Sequence, residues 1–314
     1  MPIPLFDGHC DTLSRLLDRP EEQLSTARGQ WNLDRGSAFA PRVQFFAAFA
    51  DSAQPNARER AAAQIALLHR TCQQHSDRLT LCTTAKQAEI AAQQGKAAAF
   101  LSVEGGELLD CSMEQLRWAY SKGVRAVNLT WNHANALSGS HCDHPERGLS
   151  AQGKHFVREM HRLGMLVDLS HLSERGFWDT LALDTKPVFA SHSNSQSVFF
   201  HTRNLTDAQF TAIMEYHGVV GLNAYAGFLS GEGREATQDD LLRHLERFLS
   251  LGGEKAVALG GDWDGCDRLP QGWTGVWDWG GFYETLLRRN YSEALVRDLF
   301  YHNLMRTVNA VRIM

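Results

Sequence analysis

The stretch SAQGKHFVREMHRLGMLVDLSHLSERGFWDTLAL, residues 150–183, decides the fold. Phe156, Met160 and Leu163 recur at helical spacing over Ser150–Leu163. Gly164 ends that pattern in the manner of a left-handed cap. The run Met165–Leu169 is apolar except for Asp168 and stops at Ser170-His171, and Ser173 starts a second helical pattern that lasts to Leu183. A continuous rather than alternating apolar run marks a strand covered on both faces, as in parallel sheets flanked by helices.

The same order recurs in both directions, without a shared sequence motif. Further apolar runs lie at Ile3–Phe6, Val43–Phe49, Ala97–Val103, Val124–Leu129, Val188–Ala190, Val219–Leu222 and Val257–Leu259, which makes eight. Helical patterns fall at Ala57–His75, Ser112–Ser121, Thr206–Tyr216 and Asp239–Leu251, with Ser112 and Thr206, like Ser173, as caps. Gly123, Gly218 and Gly252 each sit between a helix and a strand, as Gly164 does. Strand then helix, about eight times, predicts a (β/α)8 TIM-type barrel over a single domain, residues 1–314. Arg268–Gly281 reads as a long loop, and additional C-terminal helices are expected near Phe282–Arg289 and Ser292–Val311. A doubly wound sheet is the alternative, but no phosphate-binding glycine fingerprint follows the first run.

Composition narrows the function. The chain has 314 residues with a formal charge of −5, and no Lys/Arg run offers a surface to nucleic acid or anionic lipid. Six widely spaced cysteines form no CxxC pair and read as free thiols in a reducing compartment. The N-terminus MPIPLFDGHCDT lacks a secretory signal pattern, and no run is long enough to span a membrane. The expectation is a cytoplasmic protein with no membrane or nucleic-acid partner.

In a barrel of this kind the active site lies at the C-terminal strand ends. The polar residues that close the runs are His9-Cys10-Asp11, Glu104, His133 shortly beyond the fourth run, Ser170-His171, Ser191-His192 and the segment GGDWDG from 260 to 265. In an HxD pair on a strand, positions i and i+2 share a face, so His9 and Asp11 can reach one cation. Alone the tripeptide says little. Five metal-competent groups at successive strand ends (His9, Asp11, Glu104, His171, His192) say more. Five are too many for one open tetrahedral zinc and suit two ions with Glu104 as a bridge. Such a pair can hold a shared hydroxide and polarise a carbonyl, the chemistry of amide or ester hydrolysis.

DGHCD (7–11), SVEGGE (102–107), NLTWNHAN (128–135), GLSAQGK (148–154), GMLVDLSHLS (164–173), FASHSNS (189–195), RNLTD (203–207) and LGGDWDG (259–265) together resemble the membrane (renal) dipeptidase family of zinc metallopeptidases. The match runs in order through nearly the whole chain. The resemblance implies two Zn2+ ions, one on His9, Asp11 and Glu104 and the other on Glu104, His171 and His192. It implies that His133 contacts substrate and the developing oxyanion, that Arg203 grips the substrate carboxylate, and that Asp262, with Asp264 as the alternative, is the catalytic carboxylate. The implied partner is a small dipeptide, and a homodimer is common for such barrels. The animal enzymes' lipid anchor and disulfides are not expected here.

Other features have plainer readings. Asp168, inside the fifth run, is expected either to support a ligand histidine or to pair with an arginine. Asn128, Asn132 and Asn135 read as structural. The loop 136–149, with His141, Cys142 and His144, reads as solvent-facing, and Trp273, Trp277 and Trp279 as loop packing with partial duty as a pocket wall. Within the same architecture the competing functions are another metal-dependent amidohydrolase, such as a deaminase or lactonase, or a non-catalytic metal-binding scaffold.

Overall fold

Eight parallel strands close into a ring in the computed structural model, which describes residues 2–26, 28–183, 187–231 and 234–311. The strands are β1 (Ile3–Asp7), β2 (Phe39–Phe49), β3 (Leu79–Leu81), β4 (Ala97–Glu104), β5 (Val124–Asn128), β6 (Leu166–Asp168), β7 (Val188–Ala190), β8 (Val219–Leu222) and β9 (Val257–Leu259). β2 pairs with β4 from Val43↔Ala98 to Phe49↔Glu104, and β9 pairs with β1 at Asp7↔Leu259, which closes the barrel and excludes the doubly wound alternative. β3 is a short ninth strand on the start of β4, outside the closed ring, and its three residues carry too little pattern to be read from sequence.

The helices are α1 (Thr12–Asp18), α2 (Ala57–Gln74), α3 (Ala85–Gln93), α4 (Met113–Ser121), α5 (Ala151–Leu163), α6 (Glu174–Leu181), α7 (Asp207–Glu215), α8 (Gln238–Ser250), α9 (Trp279–Arg288), α10 (Glu293–Arg297) and α11 (Asn303–Ala310). The expected caps Ser112, Ser173 and Thr206 each accept a backbone N–H from the residue three positions on, and Ser150 does the same for α5. Among the expected glycine caps, Gly123, Gly164 and Gly252 have positive φ, but at the fourth junction the left-handed residue is His217. Gly218 is needed there for space, since a Cβ on it would stand 2.2 Å from the Val188 carbonyl oxygen.

Three other expectations shift. α9 begins at Trp279, inside the segment read as loop, because Trp279 and Phe282 both bury. The last helical pattern is not one helix: a π turn at Asp298–His302 separates α10 from α11. α1 and α3 were not anticipated. α3 is alanine-rich, with its small residues on the buried face.

The barrel interior has an aromatic floor. The rings of Phe6, Phe45, Phe100 and Phe189, from β1, β2, β4 and β7, stand 5.1–5.8 Å apart in successive contacts. β7 is no neighbour of β2 in the sheet, so these contacts cross the interior. Tyr301, Leu304, Met305 and Val308 join the same cluster, so the C-terminal helices close the barrel at the end opposite the site. All six cysteines are free, and among the described residues no helix is long and apolar enough to cross a membrane.

Candidate metal centre and active site

Directly above the floor the interior is tightened by glycine. A Cβ on Gly221 or Gly260 would stand 2.1 or 1.8 Å from the Ser191 carbonyl oxygen. The two glycines leave room for the Ser191-His192 segment after β7 to lie close against β8 and the end of β9.

His9, Asp11, Glu104, His171 and His192 all converge there, each almost wholly buried. His9 Nε2 lies 3.4 Å from Asp11 Oδ2 and 3.3 Å from Glu104 Oε2. His171 Nε2 lies 2.9 Å from Glu104 Oε1 and 3.1 Å from His192 Nε2, and His192 Nε2 lies 3.6 Å from Glu104 Oε1. The two carboxylate oxygens of Glu104 thus face two different donor groups. His9 and Asp11 meet by a route other than strand alternation: β1 ends at Asp7, and Asp11 sits in the turn at the start of α1.

These donors fit a pair of cations. Ligands about 2.0–2.2 Å from one tetrahedral zinc stand roughly 3.3–3.5 Å from each other, close to the separations found. His9 Nε2 and Asp11 Oδ1 are buried without any hydrogen-bond partner. Buried polar atoms of this kind are costly unless a further group satisfies them. A third donor group, His9, His192 and Asp262, adjoins the other two.

The side chains by themselves pull proton affinities in opposite directions. Burial works to lower His9, but the Glu104 and Asp11 carboxylates outweigh it and raise it well above the ordinary histidine range. Burial, then the Arg203 guanidinium, pushes His171 down to about 4, and burial, then His9 and Arg203, holds His192 well below its usual value. Burial and the Glu104 charge raise Asp11 to about 7. Burial works to raise Glu104 too, but His9 and His171 hold it well below the carboxylate range.

Supporting contacts orient the rings. His171 Nδ1 is 3.0 Å from Asn132 Oδ1, and His192 Nδ1 is 2.6 Å from Ser191 Oγ. A ring nitrogen committed in this way turns the opposite Nε2 lone pair to the centre, the arrangement metal-binding histidines use. His171 adopts φ 70° and Asp262 φ 60°, left-handed conformations uncommon outside glycine. Strain of this sort gathers at functional sites.

Asp262 borders the centre, with Oδ1 3.9 Å from His9 Nε2 and Oδ2 accepting from Asn223 Nδ2 at 3.1 Å. Asp264 points away, accepting from Thr12 Oγ1 at 2.7 Å and the Gln30 N–H at 2.7 Å. His133 stands at the rim, about half exposed, 3.3 Å from Asp51 and against the Trp131 ring. Arg203 is only 3% exposed. It donates to the His192 carbonyl (3.1 Å) and to Ser193 Oγ (3.4 Å), leaves Nε without a partner, and makes no ion pair among the described residues. Beside it lies a cavity of about 310 Å³ lined by His141, His171, Ser193, Phe200, Thr202 and Arg203 among others. A larger cleft of about 1060 Å³ is lined by His201, Tyr225 and Trp273 and includes none of the eight residues expected in the site.

Several supporting residues were not read from the sequence. Asp7, the last residue of β1, accepts from the His9 and Gly261 N–H groups, Gln44 Nε2, Trp263 Nε1 and Trp279 Nε1. A carboxylate at the end of the first apolar run, two residues before His9, was the available signal. Trp279 therefore anchors β1 rather than lining a pocket. Among the described residues Asp168 makes no hydrogen bond to a ligand histidine and no ion pair with an arginine; it accepts the N–H groups of Ser170 and Ser191, each at 3.0 Å, and so pins the two loops that carry His171 and His192. His141 does not face solvent freely, since both ring nitrogens are engaged.

Comparison with known proteins identifies the family and the fold. The profile of the membrane dipeptidase family, peptidase family M19, matches residues 1–314. An uncharacterized Klebsiella pneumoniae protein from the pqqA 5' region is 33% identical over 257 residues, 79% of this chain and 94% of that protein. A metallo peptidase from Rhodobacter sphaeroides, solved with a phosphinate mimic of the dipeptide L-Ala-D-Ala, superposes with a TM-score of 0.91 at 29% identity, over 99% of this chain and 100% of that one. A solved family M19 metallo peptidase, dipeptidase AC, gives a TM-score of 0.91 at 30% identity over 100% of both chains.

Proposed function

This chain belongs to the membrane dipeptidase family and is a metal-dependent hydrolase of peptide bonds, and from that premise we propose that it cleaves free-ended dipeptides with two zinc ions, one held by His9, Asp11 and Glu104 and the other by Glu104, His171 and His192. When bound, such a pair lowers the pKa of a water and polarises the scissile carbonyl. The observation that carries the dipeptide reading is Arg203, a buried guanidinium with no acidic partner among the described residues. A buried cation of this kind is stabilised by an anion, and a guanidinium binds a carboxylate through two parallel hydrogen bonds. The cavity beside it is lined by both Arg203 and His171, which supports binding of a C-terminal substrate carboxylate there. The dipeptide mimic held by the Rhodobacter sphaeroides relative supports the same substrate class.

Asp262 is the group we assign to move a proton. Burial raises its pKa, Asn223 holds Oδ2, and Oδ1 remains turned to the centre, so it can take a proton from the attacking water and deliver it to the leaving amine. His133, at the rim, is the group we assign to steady the developing oxyanion. The free thiols fit the cytoplasmic location we infer.

Metal analysis of the purified protein, paired with a dipeptide library, tests the reading. Two zinc equivalents and turnover of dipeptides are expected. Turnover of lactones or deamination substrates in place of dipeptides overturns it. Arg203→Ala is expected to raise KM for dipeptides and to cost far less against dipeptide amides; an equal loss on both rejects the carboxylate clamp.

A further inference from the structure

The loop at residues 136–149 is stitched to the back of His171. The His141 N–H donates to the His171 carbonyl at 2.8 Å, Ser140 bridges Leu172, and Ser140 Oγ donates to the Asn132 carbonyl at 2.6 Å. The side chains extend this. Asn132 Oδ1 stands 3.0 Å from His171 Nδ1 and 2.9 Å from His141 Nε2, and His141 Nδ1 stands 2.8 Å from Thr202 Oγ1. The next residue is Arg203, which is itself bonded to the carbonyl of His192.

An amide oxygen only accepts, so both imidazoles must donate to it. His171 is then protonated at Nδ1, with its Nε2 lone pair turned to Glu104 and His192. His141 is protonated at Nε2, which leaves Nδ1 to accept the Thr202 hydroxyl proton. Every member has one consistent role along Thr202, His141, Asn132 and His171. Asn132 has a lone pair for each ring, and His141 is what holds the Asn132 amide in place from the far side.

We propose that His141 is a positioning residue: through Asn132 it holds His171 as an Nε2 donor, and so sets the affinity of the ion position formed by Glu104, His171 and His192. This rests on the metal-dependent reading above but not on turnover. The position at His9, Asp11 and Glu104 shares no member of the chain and is expected to be indifferent to it. The same hydrogen bonds tie that ion position to the loop carrying Arg203.

The test is Zn2+ binding to metal-stripped protein in competition with a chromogenic chelator. In His141→Ala and Asn132→Ala, one of the two ions is expected to weaken by about 10–100-fold, the usual effect of losing a residue that orients a ligand, while the other keeps its affinity. His141→Gln retains a donor and an acceptor and is expected to recover most of the loss. His141→Phe fills the space without hydrogen bonds and is expected to behave like His141→Ala. Parent-like affinity for both ions in His141→Ala, equal weakening of both, or parent-like behaviour of His141→Phe overturns the proposal. Where His141→Ala does not fold, Thr202→Val reads the chain from its other end; a few-fold loss at one ion supports it and no change overturns it. A parent protein that takes up a single ion rejects the two-ion reading, and the proposal is then judged by that ion alone: weakening in His141→Phe supports it, and no change overturns it.

Discussion

Along β4 the inward-facing side chains run Ala98, Phe100, Ser102, Glu104, two apolar residues and then two polar ones. The neighbouring strands make the same change, from Ala126 to Asn128 on β5 and from Leu166 to Asp168 on β6. The two layers lie in one barrel and are equally buried, yet they are satisfied differently. Below, four phenylalanine rings pack against each other and against Leu304. Above, Ser102 Oγ, Asn128 Oδ1, Asp168 Oδ2, both ring nitrogens of His9, Asp11 Oδ1 and Arg203 Nε all lack hydrogen-bond partners. Groups left in this state cost stability, and their concentration in a single layer is the mark of a site arranged for something other than folding. The floor holds the strands in register, and the layer above uses that rigidity to keep charged groups where water would otherwise separate them.

If the division holds, substitutions in the two layers separate activity from stability. The largest effect is expected at Glu104. Glu104→Gln keeps the shape but removes the charge that both donor groups share, and turnover of dipeptides is expected to fall on the order of 10⁴-fold, as when one member of a concerted set is lost. The unfolding midpoint of the metal-stripped variant is expected within about 2 °C of the parent, which corresponds to roughly 1 kcal/mol in a chain of this size. Parallel losses of activity and midpoint mean that Glu104 serves the fold.

Phe100, one step below Ser102, is expected to give the reverse. Phe100→Ala opens a cavity among Phe6, Phe45 and Phe189 and is expected to cost about 3–5 kcal/mol in urea unfolding. The folded fraction is expected to keep its Zn2+ stoichiometry and most of its kcat/KM. Loss of one ion in a folded variant joins the floor to the site and breaks the comparison.

The floor and the layer above it were not equally readable in the sequence. Strands covered on both faces write themselves as continuous apolar runs, so all eight barrel strands stood out, while Leu79–Leu81 was too short to do so. The five metal-competent residues could be found because each lies within a few residues of the end of a run. Their supports could not. Asp7 is held by Trp263 and Trp279, and His141 by Asn132 and Thr202, across separations that no local spacing encodes. Asp168 was recognised as a carboxylate in an apolar run, but its partners are backbone N–H groups, which look the same for every residue type. Periodicity reports which face a side chain takes, and chemistry reports what it can bind. Neither reports which neighbour supplies the hydrogen bond.

The smallest effect probes the edge of the upper layer. His244 on α8 is wholly buried outside the ring, and its Nδ1 accepts the N–H of Ser195, in the loop that carries His192. Its Nε2 faces the Leu229 carbonyl at 3.4 Å. Burial lowers its pKa to about 4; the Leu229 contact opposes this in part and the Arg243 charge adds to it. The unfolded chain takes up this proton near pH 6.5, whereas the folded chain refuses it until about pH 4. Between those values the unfolded state binds more protons, so the stability His244 contributes is complete above about pH 6.5 and is lost as the pH falls toward 4. At pH 5 the loss is about 2 kcal/mol. His244→Gln keeps an acceptor for Ser195 and a donor for Leu229 but does not titrate. The stability gap between parent and variant, measured by urea unfolding of metal-stripped protein at pH 7.5 and pH 5, is therefore expected to move by about 2 kcal/mol in favour of the variant at the lower pH. A gap that does not move shows that His244 takes up its proton equally in the folded and unfolded chain, and that its burial against Ser195 does not hold it neutral.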